Sequence, residues 1–263
     1  MGSRAIWRIG GVAAGLVLGA MAVGEVPFLD ARPAAGTHGG FVKYASGTDS
    51  INAYIAYPDS AGPEPVVLVI DEMWPDLARD ASERLAKKGF IALAPDLLTR
   101  RGGTAAAMAA APDHGRKLIA SLNADTITQD LDAAVAYLKR LKEADSAKLG
   151  VIGFGWGGGE ALRYAAHNPS VLAFVLCYAG VPNVAIDFTR IKGIGLGVYA
   201  DRDGRITQGL YNLVRDLHRV DVDYRFKIYP NTSHGFLRTL EPPETASEAW
   251  EDLLLFLHVW LNK

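Results

Sequence analysis

Apolar positions along the chain follow two patterns, one typical of buried strands and one typical of helices. Residues 66–70 form an unbroken apolar run of the kind found in a strand buried on both faces of a sheet. Similar runs recur at 90–94, 149–152, 171–178, 194–199 and 224–229. Helical spacing of apolar residues lies between them, for example over 76–88, 127–138, 207–218 and 246–261. Strands that alternate with helices predict an α/β fold with a mostly parallel central sheet and helices on both faces. Residues 41–45 and 51–57 precede this region and predict an antiparallel pair.

The N-terminus has a different pattern from the rest of the chain. Arg4 and Arg8 precede a run rich in Gly and Ala over residues 9–24, and 20–22 read Ala-Met-Ala. These features predict a signal peptide over 1–24 and a periplasmic location. The alternative is an uncleaved anchor, which would attach the protein to a membrane through residues 9–24. Residues 25–40 are predicted to be a linker, and 41–263 a single domain.

Composition limits the classes of function. The chain has 263 residues, a formal net charge of −2 and 49% hydrophobic residues, which suits one domain with a large core. It has no basic run that would indicate a nucleic-acid partner. Its single cysteine, Cys177, excludes an internal disulfide framework and a cysteine-based zinc site. We expect no cofactor and no metal.

Polar residues cluster where the predicted strands end, which is where sites lie in parallel sheets. The sequence VIGFGWGGGEALRYAA, residues 151–166, has the strand-turn-helix form that exposes a catalytic nucleophile, but Gly155 stands at its centre. An acidic turn follows the strand at 194–199 and contains Asp201 and Asp203. His234 follows the last strand. The order of elbow, acid and histidine is that of α/β-hydrolases.

These motifs resemble those of the dienelactone hydrolase family of α/β-hydrolases, from about Gly40 to the C-terminus. That family has an elbow G-x-C-x-G-G, an acid in a G-x-x-D turn and a histidine in Y-P-x-x-x-H-x-F. They match residues 153–158, Asp203 and the stretch 229–236. The resemblance implies an α/β-hydrolase fold and hydrolysis of small esters or lactones.

The resemblance also implies roles for individual residues. His234 would be the general base and Asp203 would orient it, with Asp201 as the alternative acid. The backbone N–H groups of Trp156 and Met73 would form the oxyanion hole. Glu72 would lie beside the nucleophile position.

Two arginines are expected to recognise the substrate. In the family's carboxylate-binding pair, one arginine follows P-D-L and the other lies four residues past the histidine. The residues at these two positions are Arg100 and Arg238. Arg101 is an alternative to Arg100, and Arg100 and Arg238 could instead be solvated surface residues. The predicted ligand is a small carboxylate-bearing molecule.

The sequence also departs from the family pattern. Gly155 replaces the nucleophile, residues 73–76 lack the family's glycine, and Ala200 replaces the glycine that opens the acid turn. Cys177 is expected to be a buried structural thiol. The glycines of the elbow also fit the dinucleotide pattern G-x-G-x-x-G, but the next strand ends without the acid that such a site uses.

Two functions from different classes therefore remain. One is a weak hydrolase in which His234 and Asp203 activate water directly. The other is a catalytically inactive protein that binds a small acid or serves as an accessory subunit of an exported or membrane complex.

Overall fold

The computed structural model describes residues 36–59, 62–71, 76–182 and 184–262. The predicted signal peptide or anchor, and the predicted linker up to residue 35, lie outside these ranges. No helix in the described ranges is long and apolar enough to cross a bilayer.

Eight strands form one sheet in the order β1-β2-β4-β3-β5-β6-β7-β8. β1 pairs antiparallel with β2, β2 pairs antiparallel with β4, and the other neighbouring strands are parallel. The mostly parallel sheet with an antiparallel pair at its start is therefore confirmed. The strands are β1 Thr37–Ser46, β2 Asp49–Pro58, β3 Glu64–Ile70, β4 Ile91–Pro95, β5 Ala144–Phe154, β6 Val171–Cys177, β7 Ile194–Ala200 and β8 Tyr224–Tyr229.

Helices pack on both faces of the sheet and divide its core in two. α1 and α8 cover one face, and α4, α5 and α6 cover the other. Val67 and Val69 of β3 belong to the first core, and Val66 and Leu68 to the second, which explains why this strand is apolar throughout. The helices are α1 Asp76–Ala86, α2 Thr104–Ala110, α3 Pro112–Ala120, α4 Ala124–Leu138, α5 Trp156–His167, α6 Gly204–His218, α7 Phe236–Thr239 and α8 Pro243–Leu261.

The first strand begins earlier than the sequence pattern indicates. Residues 37–40 were expected in the linker, but they pair with residues 55–58 as part of β1. Their composition, Thr-His-Gly-Gly, has no apolar alternation. The pairing depends on backbone hydrogen bonds, which the side chains do not reveal.

α2 and α3 form an unpredicted helical hairpin after β4. Ala107 of α2 and Ile119 of α3 are buried with Leu98 in a small apolar cluster. The half-buried side chain of Trp156, the first residue of α5, packs against the same cluster. The hairpin thus lies against the beginning of α5.

Candidate active site

The turn between β5 and α5 is a sharp elbow centred on Gly155. Its φ of 54° and ψ of −119° lie in a region that side-chain-bearing residues rarely adopt and glycine accepts at little cost. The Gly155 N–H donates to the Cys177 carbonyl at 3.0 Å, and the Gly158 N–H donates to the Gly155 carbonyl at 3.1 Å. The elbow is therefore anchored to the end of β6 and continues into the first turn of α5.

Three further glycines let the elbow pack closely. A Cβ atom at Gly153 would collide with the Gly157 carbonyl, and one at Gly157 would collide with the Ile70 carbonyl. A Cβ atom at Gly158 would collide with the Cβ of Ala179. These glycines are needed because α5 packs closely against the strands. Close packing therefore explains the glycine pattern without a dinucleotide-binding role.

The backbone of Trp156 is placed to act as a hydrogen-bond donor. Trp156 begins α5, and the first N–H groups of a helix have no acceptor inside the helix. The partial positive charge of the helix N-terminus favours an anion at this point. Glu72 and Met73, the predicted carboxylate neighbour and second oxyanion donor, lie outside the described residues, and their roles stay predictions.

His234 and Asp203 form the expected pair. The His234 Nδ1 atom lies 2.6 Å from Asp203 Oδ2. The Asp203 side chain is only 6% exposed, whereas the imidazole is 41% exposed. A carboxylate can only accept, so Nδ1 carries the donated proton, and the neutral ring keeps Nε2 as its basic atom. This is the arrangement that a general base requires.

Asp201, the alternative acid, contacts the backbone around His234 instead. Its Oδ2 accepts the Asn231 N–H and its Oδ1 accepts the Thr232 N–H, each at 2.9 Å. The Arg202 N–H also donates to the Thr232 carbonyl at 3.1 Å. Asp201 thus holds the loop that carries His234, while Asp203 contacts the imidazole.

Tyr178 is a site residue that the sequence did not indicate. It follows β6, is 3% exposed and has a φ of 41°, unusual for a residue with a side chain. Its ring packs edge-on against His234, with 5.0 Å between the ring centroids. It also contacts Phe236 at a centroid distance of 6.0 Å. Tyr178 therefore restricts the imidazole from one side, and only its position at a strand end could have suggested this.

Arg100, one of the two arginines expected to bind substrate, forms ion pairs with two aspartates of the fold. Its Nη1 and Nη2 atoms donate to the two carboxylate oxygens of Asp130 at 2.6 and 2.9 Å, and its Nε donates to Asp49 at 2.5 Å. The hydrogen bond to Asp130, only 2% exposed, is the largest cause of a raised pKa of the guanidinium. Ser46 also donates to Asp130, at 2.6 Å. Because its donors are already engaged, Arg100 has little left to offer a carboxylate.

Arg101 and Arg238 both lie on the exposed surface. Arg101 is exposed and donates to Ser121 Oγ at 3.0 Å. Arg238 is exposed on α7, and its side chain makes no ion pair or hydrogen bond with any residue in the described part of the chain. A role for Arg238 in substrate binding remains a prediction.

Cys177 does not provide a reactive thiol. The residue is fully buried at the end of β6, as expected for a structural thiol. Burial, and secondarily the charge of Asp71, raise the pKa of the thiol well above its usual value. The reactive thiolate is therefore disfavoured. Among the residues that the structure describes, no group of three or more His, Cys, Asp or Glu could hold a metal ion.

Two known proteins that share one description are similar to this chain over most of its length. A "putative carboxymethylenebutenolidase" of Methylorubrum extorquens is 33% identical over 238 residues, which cover 85% of this chain and 81% of that protein. One of Escherichia coli K12 with the same description is 31% identical over 231 residues, which cover 82% of this chain and 84% of that protein.

Solved structures share the fold. A provisionally named dienelactone hydrolase from Klebsiella pneumoniae superposes with a TM-score of 0.76 at 25% identity, over 87% of this chain and 99% of that chain. A dienelactone hydrolase-like promiscuous phosphotriesterase from metagenomic libraries gives a TM-score of 0.71 at 22% identity, over 86% of this chain and 99% of that chain. These neighbours identify the fold as that of an α/β-hydrolase.

A family model described as "Dienelactone hydrolase family" matches residues 51–261. The match includes the elbow, the acid turn and the loop of His234. The chain therefore belongs to the dienelactone hydrolase family.

Proposed function

We propose that this protein hydrolyses small carboxylate-bearing esters or lactones by activating water with His234 and Asp203, at a site that has lost its nucleophile. The observation that carries the proposal is the 2.6 Å contact between His234 Nδ1 and Asp203 Oδ2. It leaves Nε2 without a hydrogen-bond partner among the described residues, on a ring that is 41% exposed and can meet a water molecule. The names of the two relatives refer to a butenolide, a lactone, and this favours lactones among the candidate substrates.

The proposed reaction uses general-base catalysis. His234 Nε2 takes a proton from water while the water oxygen forms a bond to the substrate carbonyl carbon. The Trp156 N–H stabilises the resulting oxyanion, and Asp203 stabilises the imidazolium. When the C–O bond to the leaving group breaks, the imidazolium returns its proton to the leaving oxygen. The products are an acid and an alcohol, or one hydroxy acid from a lactone.

Gly155 limits the rate of this reaction. Without a side chain at the elbow, no covalent acyl-enzyme forms there. Hydrolysis is then not divided into the acylation and deacylation steps that make nucleophilic catalysis fast. Removing the nucleophile of a comparable triad eliminates most of the rate enhancement. We expect slow turnover compared with a family member that has a cysteine at this position.

The same glycine favours a second candidate function. A site with a preserved dyad and no nucleophile is suited to binding a small acid without reaction, either alone or as an accessory subunit of a larger complex.

We also propose that the protein acts outside the cytoplasm, exported to the periplasm or anchored to a membrane, on the basis of the apolar run at residues 9–24.

Hydrolysis of a small lactone and of its open-chain ester tests the proposal. Rates would be compared for the wild type, His234→Ala and the control His218→Ala, an exposed residue of α6. We expect slow hydrolysis that falls about 10²-fold or more in His234→Ala and is unchanged in the control. No turnover above the buffer rate would reject the hydrolase and favour the binding protein.

A further inference from the structure

An open cavity of about 440 Å³ lies between α6 and the loop that follows β6. Its lining includes the apolar side chains of Val181, Phe188, Ile206 and Leu210 beside polar groups. Its volume lies in the range of sites for small organic molecules.

Chain neighbours of two residues that contact His234 line the cavity. Ala179 lines the cavity and directly follows Tyr178, whose ring packs against His234. On the other wall, Arg205 and Ile206 come within three residues of Asp203, in the first turn of α6. Residues next to Tyr178 and close to Asp203 in the chain thus line the cavity, and Tyr178 and Asp203 themselves contact the imidazole.

Arg205 supplies the cavity with an available positive charge. The residue is exposed, and its side chain makes no ion pair or hydrogen bond within the described part of the chain. Asp216, the acid that lines the cavity, is already paired with Arg215 at 2.9 Å. It also lies eleven residues further along α6, about 16 Å from Arg205 along the helix axis. The cavity therefore has a cationic end at the first turn of α6, with the apolar side chains of Ile206, Leu210 and Leu213 further along the helix.

Gly209 leaves space in the middle of the cavity. It lines the cavity one helical turn after Arg205, and a Cβ atom built there has no neighbour within 4 Å. A side chain at this position would project into open space without backbone strain, because Gly209 lacks a positive φ. The glycine therefore keeps the centre of the cavity unobstructed.

We propose that this cavity binds an amphipathic monocarboxylic acid, with its carboxylate on Arg205 and its aliphatic or aromatic body against Val181, Phe188, Ile206 and Leu210. A guanidinium binds a carboxylate through paired hydrogen bonds, and the apolar walls exclude water from the body of the ligand. The site is distinct from the predicted pair Arg100 and Arg238. The proposal rests on the proposed function in one respect, because such an acid would be either the charged part of the substrate or the product of hydrolysis.

Calorimetric titration of the full chain tests this site without turnover. The probes are 4-phenylbutyrate and 4-phenyl-1-butanol, which share one apolar body and differ in charge. We expect the wild type to bind the acid more tightly than the alcohol. Arg205→Gln should weaken the acid about 10-fold, equivalent to 1.4 kcal/mol, and leave the alcohol unchanged. Arg225→Gln, which removes an exposed arginine of β8 outside the cavity lining, should change neither.

Gly209→Leu provides an independent test by filling the cavity. Replacing an exposed helical glycine with leucine favours the helix, so this variant should fold with at least the wild-type melting temperature. It should abolish binding of both probes, whereas Tyr211→Leu on the exposed surface of α6 should not. Failure of the wild type to bind 4-phenylbutyrate at 10 mM, or unchanged binding in both cavity variants, would overturn the proposal. Because no hydrolysis is measured, these results are independent of whether the protein is a hydrolase.

Discussion

The carboxylate of Asp201 and the backbone N–H of Thr232 are joined by a 2.9 Å hydrogen bond, although the residues lie 31 positions apart in the chain. A second bond from the same carboxylate to Asn231 completes a two-point contact. The acid turn after β7 and the histidine loop after β8 are thus held together by a residue that does not contact the imidazole.

Removing this contact should impair catalysis through the position of His234. Asp201→Ala leaves two backbone N–H groups without their acceptors, and we expect about 1–3 kcal/mol of lost stability. We also expect kcat for a small ester to fall while KM changes little. Asp201→Asn keeps one acceptor oxygen and should give an intermediate effect. Asp223→Ala, which removes an exposed acid near β8 that pairs with Arg225, is the control. Equal kcat in Asp201→Ala and the wild type would contradict a positioning role.

Arg100 should be important for stability rather than for substrate recognition. Arg100→Ala leaves the Asp130 carboxylate buried without its cation. We expect the free energy of unfolding to fall by about 2–4 kcal/mol. This is less than for a fully buried ion pair, because Arg100 is partly exposed and solvent weakens the interaction. Urea denaturation measures this cost. Arg238→Ala removes an exposed arginine that has no ion pair with any residue in the described ranges. It should leave stability within about 0.5 kcal/mol of wild type. If Arg100→Ala unfolds like wild type but binds carboxylates less well, the original expectation for Arg100 would be reinstated.

A cysteine at the elbow should restore nucleophilic chemistry. The Trp156 N–H, His234 and Asp203 are retained in Gly155→Cys, so a nitrophenyl ester should give a burst of nitrophenol and an acyl-enzyme visible by mass spectrometry. The positive φ makes any side chain there cost about 1–3 kcal/mol. Gly155→Ala bears the same strain without a thiol and is the matched control.

The reactivity of the elbow variant must exceed that of the native thiol. Cys177 is fully buried and has a raised pKa, so the wild type should label slowly with thiol reagents. Gly155→Ser should react less than Gly155→Cys, because a hydroxyl needs a better-aligned base. A folded Gly155→Cys protein that labels no faster than wild type and forms no acyl-enzyme would show that the site can no longer support a nucleophile.

The sequence predicts the sheet well because hydrophobic periodicity depends on local neighbours. The apolar run at 66–70 and the elbow at 153–158 both follow from positions close together in the chain. The α2–α3 hairpin is not predicted, since its Ala-rich first helix has no clear apolar stripe and its packing depends on Leu98 and Trp156.

Contacts between distant residues are the part of the site that the sequence does not determine. Arg100 fits a substrate-binding motif, and only the folded chain brings Asp130, thirty residues away, to its guanidinium. The sequence motif favours Asp203 over Asp201 as the acid, but the partner of each carboxylate is set by the geometry of the turn. Tyr178 looks like an ordinary core residue until its contact with His234 is seen.

The N-terminus gives a prediction about location. Cleavage after the Ala-Met-Ala stretch at 20–22 would produce a mature chain that begins near Val23 and is released with the periplasmic contents. Intact-mass analysis of the protein from its native host distinguishes this from an anchor. Retention of residues 1–22 together with membrane fractionation would contradict cleavage and favour membrane attachment.

Single-turnover hydrolysis of a chromogenic small ester, followed by intact-mass analysis of the quenched enzyme, tests the central claim most directly. Water activation by His234 and Asp203 predicts product formation without a burst and without any acyl adduct. It also predicts a rate that falls about 10²-fold or more in His234→Ala. An acyl adduct on the wild-type chain, or equal rates in the wild type and His234→Ala, would contradict the account.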